Sequence, residues 1–427
     1  MKRLILSVAA LLAGTVAIAQ TPQTITNPGQ QAVPTSAATV GGNYSNVDQK
    51  GTGSDALVSQ QGTANGSYIS QTGTNAINRN TATVLQWGNV QPSISGHLNY
   101  SDIAQSGEGN AYTVTQQGDL NENYGVQVGL DNTALVQQGA DTPQQAESNL
   151  ALVDQDGKDN YAEVQQRWDN NEASILQRND QVAGVGNRSY QSQGANPNQS
   201  AGHVAIGEQY GDDNELVQIQ DGASSGATGL GNYAQSNQGD ALDGATGAFA
   251  QQIQEGELNE AYSSQKLVGD TAFQEQLGNG NMAVNEQNLG GSLNGGDNYV
   301  DQYQAGNGNE ARSLQNGNDN QAFQEQYQDD NYSKITQGNG QVVGNIATSI
   351  QNGFDNSSLI NQRANGNMSM VDQTGNGQVS VVNQNTPLSG SPAATSGSNT
   401  ATIIQRNANV SLNAQLQKAA ATKVHNF

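Results

Sequence analysis

The chain has no cysteine, so neither a disulfide framework nor a thiolate metal site is open to it. Aromatics make up 5% of the 427 residues and charged residues 12%. Hydrophobic residues reach 34%, against the roughly 45–50% of an average soluble domain. Several ordinary apolar cores are therefore excluded, although the length alone suggests two or three domains. Basic residues are scarce: 15 Lys and Arg stand against 38 Asp and Glu, a net charge of −23. A nucleic-acid partner is disfavoured, because phosphate binding needs clustered cations.

What replaces the missing types is neutral amide. The sequence holds 55 Gln, 52 Asn and 51 Gly, about 37% of the chain. Chains of this kind are either disordered or stacked into β-structure with amide ladders. The first residues indicate a compartment. Lys2 and Arg3 precede an apolar run from Leu4 to Ala19, and Ala17-Ile18-Ala19 before Gln20 has the form of a small-x-small cleavage site. The expectation is a secretory signal peptide and an exported protein with no membrane span in the mature chain.

A repeat dominates the remainder. NYVDQYQ (Asn298 to Gln304), NEARSLQ (Asn309 to Gln315), NQAFQEQ (Asn320 to Gln326) and NYSKITQ (Asn331 to Gln337) begin 11 residues apart. The frame G-x-x-N-x-A-x-x-x-Q can be followed through 29 copies, from Asn43 to Gln415. Longer spacings fall in turn-like insertions such as residues 222–231 and 385–398. Within a copy the period is two: Asn171, Ala173, Ile175 and Gln177 alternate with Glu172, Ser174 and Leu176. This is the pattern of a half-buried strand, and recurrent Gly, Asn and β-branched residues disfavour helix.

Seven residues of strand and four of turn predict an all-β fold, a β-solenoid with two strands per rung in which copy i stacks on copy i+2. About 14 rungs follow, at ~4.7–4.8 Å each. Buried amides are costly unless hydrogen-bonded, and stacking like on like supplies the partner. The residues expected to line up inside are Asn65, Gln71, Asn110, Gln116, Asn132, Gln138, Asn160, Gln166, Asn171 and Gln177 in the first half. In the second half they are Asn298, Gln304, Asn309, Gln315, Asn320, Gln326, Asn331, Gln337, Asn356, Gln362, Asn367 and Gln373. The domain plan is a signal peptide (1–19), a linker (20–39), the repeat solenoid (40–384), a Pro/Ser/Gly-rich insertion (385–398), terminal repeats (399–417) and a tail (418–427).

Chemistry-bearing motifs are sparse. Asp in the turns GDDN (Gly211 to Asn214), GKDN (Gly157 to Asn160) and GGDN (Gly295 to Asn298) suggests either calcium ligands or plain turn residues tolerant of unusual φ. The second reading is preferred, since the Asp does not recur in register. His97, His203 and His425 are far apart and read as isolated surface or turn residues. No nucleophile elbow, P-loop or His-Glu-x-x-His is present, so no enzyme, catalytic residue, cofactor or metal is expected. Tyr112, Tyr161, Tyr262, Tyr299, Phe323 and Tyr332 sit near the motif Asn and are expected to stack across rungs rather than form a carbohydrate-binding stripe. Irregular outer Asp and Glu would restrain premature association.

The copy ARSLQNGNDNQAFQEQ (Ala311 to Gln326), with Gln315, Gly317, Asn320, Ala322 and Gln326 at the motif positions, resembles the curlin repeat of curli-type bacterial amyloid subunits. That resemblance implies a secreted subunit that polymerises with itself into extracellular fibres for adhesion and biofilm matrix. It also implies a nucleating subunit and an outer-membrane secretion channel as partners. The alternative is a monomeric secreted rod that binds a polysaccharide, ice or a host surface.

Overall fold

The computed structural model describes residues 23–28, 30, 42–87, 98–139, 146–194, 202–222, 230–240, 244–288, 296–338, 343–384 and 399–406. These residues form a two-sheet β-solenoid of 29 strands and contain no helix. The first sheet runs from Tyr44–Gly51 to Val379–Gln384 and the second from Ser54–Gln61 to Thr400–Arg406, with 14 copies stacked in each. The remaining strand, Ala245–Thr246, is a two-residue bridge onto Gly211–Asp212 in a widened turn. The signal segment, the insertion at 385–398, the copy at Asn409, the tail, His97 and His425 lie outside the described residues.

Successive copies alternate between sheets, so each repeat strand pairs in parallel with the copy two places on. Register follows the motif: Tyr161–Arg167 places Ala162 beside Ala134 and Ser189, and Gln166 beside Gln138 and Gln193. A one-residue slip would turn Asn, Ala and Gln outward and bring Tyr161 and Glu163 inside, so burial fixes the pairing. Asn160, Ala162, Val164 and Gln166 are all at most 1% exposed, whereas Tyr161, Glu163 and Gln165 are half-buried on the outer face.

The turns explain the recurrent Gly and Asp. The residue before the motif Asn takes left-handed backbone in copy after copy, as at Asp131, Asp159, Asp213, Asp297 and Asp319, with φ between 54° and 57°. Asp tolerates that region better than most side chains, which accounts for GKDN, GDDN and GGDN as turns. Two residues after the motif Gln the chain passes hard against the next rung. A Cβ on Gly129 (φ 111°) would lie 2.0 Å from the Gly157 carbonyl oxygen, so only Gly fits.

The apolar core is split. Ile69, Val84, Ile103, Val114, Val136, Val153, Val164 and Ile175 pack with small Ala side chains in the first third of the rod. A second cluster from Val300 to Val382 fills the last third. Two large-for-small exchanges are reciprocal across the core. Tyr112 fills the space above Gly125, where a Cβ would meet its ring at 2.2 Å, and Leu216 fills the space above Gly207, where a Cβ would meet Cδ2 at 2.4 Å. Tyr112 therefore differs from the sequence expectation: it is 1% exposed inside the core, donating to Asn123 Oδ1 at 3.0 Å, instead of stacking outside.

Outer aromatics form zigzag columns. Tyr44, Tyr68, Tyr100 and Tyr124 follow one another on the first sheet with ring centroids 5.4–5.8 Å apart. Phe249, Phe273, Tyr299 and Phe323 do the same on the second at 5.3–5.8 Å. Tyr262 stacks on Tyr233 at 5.4 Å. The stretch before the first strand lies back on the first sheet: the Gln23 N–H donates to the Tyr233 hydroxyl, and Asn27 and Gln30 both donate to Glu122.

Candidate functional site: the amide columns

The motif Gln is present in all 28 described copies and forms one column per sheet. In the first sheet Gln49 Nε2 donates to Gln71 Oε1 at 2.8 Å, Gln71 to Gln105 at 2.7 Å, and so on without interruption to Gln362, which donates to Gln384 at 2.9 Å. In the second sheet the column runs from Gln60 to Gln86 (2.8 Å) through to Gln373 and Gln405 (2.8 Å). Every link has the same sense, with the donor toward the C-terminal end. Gln116 shows the local arrangement. It accepts from Gln86 and donates to Gln138 Oε1 (2.8 Å), the Tyr100 carbonyl (2.8 Å) and the Asn121 carbonyl (3.0 Å). Each amide thus joins the next rung and also ties its own sheet to the facing one. A net hydrogen bond contributes about 1 kcal/mol, but an orphaned buried amide costs about 1–3 kcal/mol.

The Asn columns run with opposite sense. The Asn110 N–H donates to Asn80 Oδ1 at 3.1 Å, Asn132 N–H to Asn110 Oδ1 at 3.2 Å, and Asn160 N–H to Asn132 Oδ1 at 3.1 Å. The side-chain Nδ2 reinforces this by donating to the same oxygen, as Asn132 does to Asn110 at 3.0 Å. All twenty-two Asn and Gln residues named from the sequence are at most 1% exposed and occupy these columns.

Two substitutions in the Asn columns carry charge chemistry. His203 is 1% exposed, a correction to its reading as a surface or turn residue. Its backbone N–H donates to Asn171 Oδ1 at 3.1 Å, and its Nδ1 accepts the Asn232 N–H at 3.0 Å, replacing the Asn oxygen. The ring must therefore be neutral with Nδ1 unprotonated. Burial pulls its pKa down to about 4, against a smaller opposing contribution from the Gly194 backbone. Asp270 fills the other site. Its Oδ1 accepts from the Asn298 N–H and Nδ2 (3.2 and 3.0 Å), Asn288 Nδ2 adds a bond at 3.2 Å, and burial still pushes the carboxyl up to about 6. One rung earlier Ala248 has no side-chain acceptor, so the second-sheet Asn column is interrupted between Asn214 and Asp270.

A third amide column was not singled out from the sequence. Gln191, Gln218, Gln252, Gln274, Gln302 and Gln324 occupy the central core position in consecutive copies of the second sheet, linked at 2.7–2.8 Å. They fill the middle of the rod, between the two Val- and Ile-rich clusters, in rungs that also bury Ser236, Ser263, Asn285 and Ser313. The signal was the doublet Gln-x-Gln, as in QIQ (Gln218 to Gln220), which recurs only in every second copy.

The inner surface is closed by its own amides and offers no catalytic arrangement; among the described residues no group of three His, Cys, Asp or Glu could hold a metal. What the columns provide is copying: each rung presents the pattern that the next rung needs. The family model described as the curlin associated repeat matches residues 139–167, which contain the strand Tyr161–Arg167 and its motif Gln166. The copy that ends at Arg167 is thus a curlin associated repeat. No curated protein matches it. Curlin repeats and their solenoid are structural, and the Gln and Asn columns hold successive copies of this chain in register.

Proposed function

We infer that the chain is a secreted structural subunit that stacks end to end into curli-like extracellular fibres serving surface adhesion and biofilm matrix. One observation carries the reading. Val47 faces the core yet is 42% exposed, whereas Ile69, its partner one rung in, is 2% exposed. The first rung is thus an open parallel edge with apolar and amide groups in register for another rung. Among the described residues Gln49 and Gln60 begin their columns with oxygens that no earlier rung bonds, and Gln384 and Gln405 end them on the donor side. A second copy placed head to tail would continue both columns without changing their sense. The family repeat supports the same role. Export through an outer-membrane channel, and a nucleating subunit that offers the first edge, complete it.

The test is assembly of purified mature protein. Fibres that bind thioflavin and diffract at about 4.7–4.8 Å and about 10 Å are expected. Protein that stays monomeric over a wide concentration range would overturn the reading in favour of a free-standing surface-binding rod.

A further inference from the structure

The outer face of the first sheet carries a charge arrangement at odds with the rest of the molecule. The column Val284, Arg312, Lys334, Leu359, Val381 lies on successive rungs in strict register. Arg312 and Lys334 are therefore stacked about 4.8 Å apart, and like charges directly opposite on neighbouring strands are destabilising. In a chain with 15 basic residues and a charge of −23, carboxylates to separate them are plentiful. Glu310 takes Arg312, but neither Lys334 nor Arg363, on the following rung, enters any ion pair among the described residues. Glu286 at one end is 5% exposed; burial raises its pKa, and the charges of Arg312 and Lys334 oppose that shift.

These cations line a cleft of about 390 Å³ that reaches down to Ser313, Ile335 and Ser380 of the sheet. Its size is within the ordinary range for small-ligand sites, about 300–1,000 Å³. The lining is mixed. Tyr332, Leu359 and Val381 give apolar surface, Thr336 and Ser357 give hydroxyls, Glu286 gives a carboxylate at one end, and Arg312 and Lys334 share one column with Arg363 beside it on the following rung. Apolar and aromatic faces for C–H surfaces, hydroxyl partners and cations in excess of the neighbouring carboxylates together describe one ligand chemistry.

We propose that this cleft is a binding site for a carboxylate-bearing oligosaccharide. The sugar rings lie along the rod on Tyr332, Leu359 and Val381, and their carboxylates meet Lys334 and Arg363. The cleft runs along the flank as far as Val381 on Val379–Gln384, the last described strand of the first sheet, so a copy added at that end would border it without covering Lys334.

The test is titration of the mature chain with a fluorescent oligogalacturonate, with neutral maltohexaose and a single-stranded DNA oligonucleotide as comparison ligands. Saturable, salt-weakened binding to the oligogalacturonate alone is expected. The double variant Lys334→Gln, Arg363→Gln should weaken it about tenfold or more, since hydrogen bonds to charged groups are the stronger class. Arg188→Gln, at a cation on the other sheet that enters no ion pair among the described residues, should leave it unchanged. Circular dichroism of each variant checks that the β fold is kept. Absence of binding, equal binding by the double variant or the neutral sugar, an equal loss in the Arg188 variant, or tighter DNA binding lost with the same two cations would each overturn the assignment.

Discussion

Acidification should open the rod at His203 before it opens elsewhere in the first sheet. The imidazole is neutral because Nδ1 accepts the Asn232 N–H, and a proton there would set donor against donor inside the core. Its pKa falls from 6.5 to about 4 on folding. The unfolded chain therefore binds more protons in that interval, so the contribution is full above pH 6.5 and is lost as pH drops toward 4. At about 1.4 kcal/mol per tenfold, this amounts to roughly 3 kcal/mol, or a few hundredfold in local opening. Solenoids do not unfold in one step, so a single midpoint would blur the effect. Hydrogen exchange by mass spectrometry on peptides covering Val204–Asp212 and Tyr233–Gln238, corrected for intrinsic rates, reads it directly. His203→Asn restores the column oxygen and should abolish the difference between pH 6.5 and 4, while the neighbouring Glu172 and Glu208 titrate alike in both proteins. If the wild type is flat across that range, or the Asn variant shows the same slope, the neutral-acceptor reasoning is wrong.

Asp270 should act with opposite sign. Its raised pKa means that the folded state holds the proton more tightly, so stability is greatest below pH 3.8 and declines as pH rises through about 6. Asp270→Asn should stabilise the rungs around Thr271–Leu277 by up to about 3 kcal/mol at pH 7 and by little at pH 4, measured by the same exchange method. Across the core, Gly207→Val should cost about 1–3 kcal/mol by overpacking against Leu216, and Leu216→Ala about 2–5 kcal/mol by leaving a void. The double variant should be less destabilised than the sum, with a coupling of about 1–3 kcal/mol in chemical denaturation; strict additivity would show that the two sites do not share space.

The two-sheet stack was legible because burial and hydrogen bonding repeat in the same frame. A motif Asn and Gln six residues apart, with small residues between, can face inward together in only one register. Residues that break the frame were harder to place. In HVAIGEQ (His203 to Gln209) the leading His occupies the Asn position, but a His far from other ligands looks like a surface residue until its column neighbours are known. The third Gln column needed the partition of copies between two sheets, since Gln252 and Gln274 are adjacent only once the intervening copy is assigned to the other side. The matches of Tyr112 with Gly125 and Leu216 with Gly207 are contacts between sheets, and no periodicity within a copy predicts them.

The opposed senses of the two column types bear on how long such an assembly can become. Amides all pointing one way would sum to an axial dipole that grows with each added layer, as peptide units do in a helix. Here the Gln carboxamides point their nitrogens toward one end of the rod and the Asn carboxamides toward the other. Their moments oppose each other layer by layer, and only the third Gln column, which points the same way as the motif Gln, leaves a surplus in the middle rungs, so polarisation at the tips grows more slowly than the number of layers.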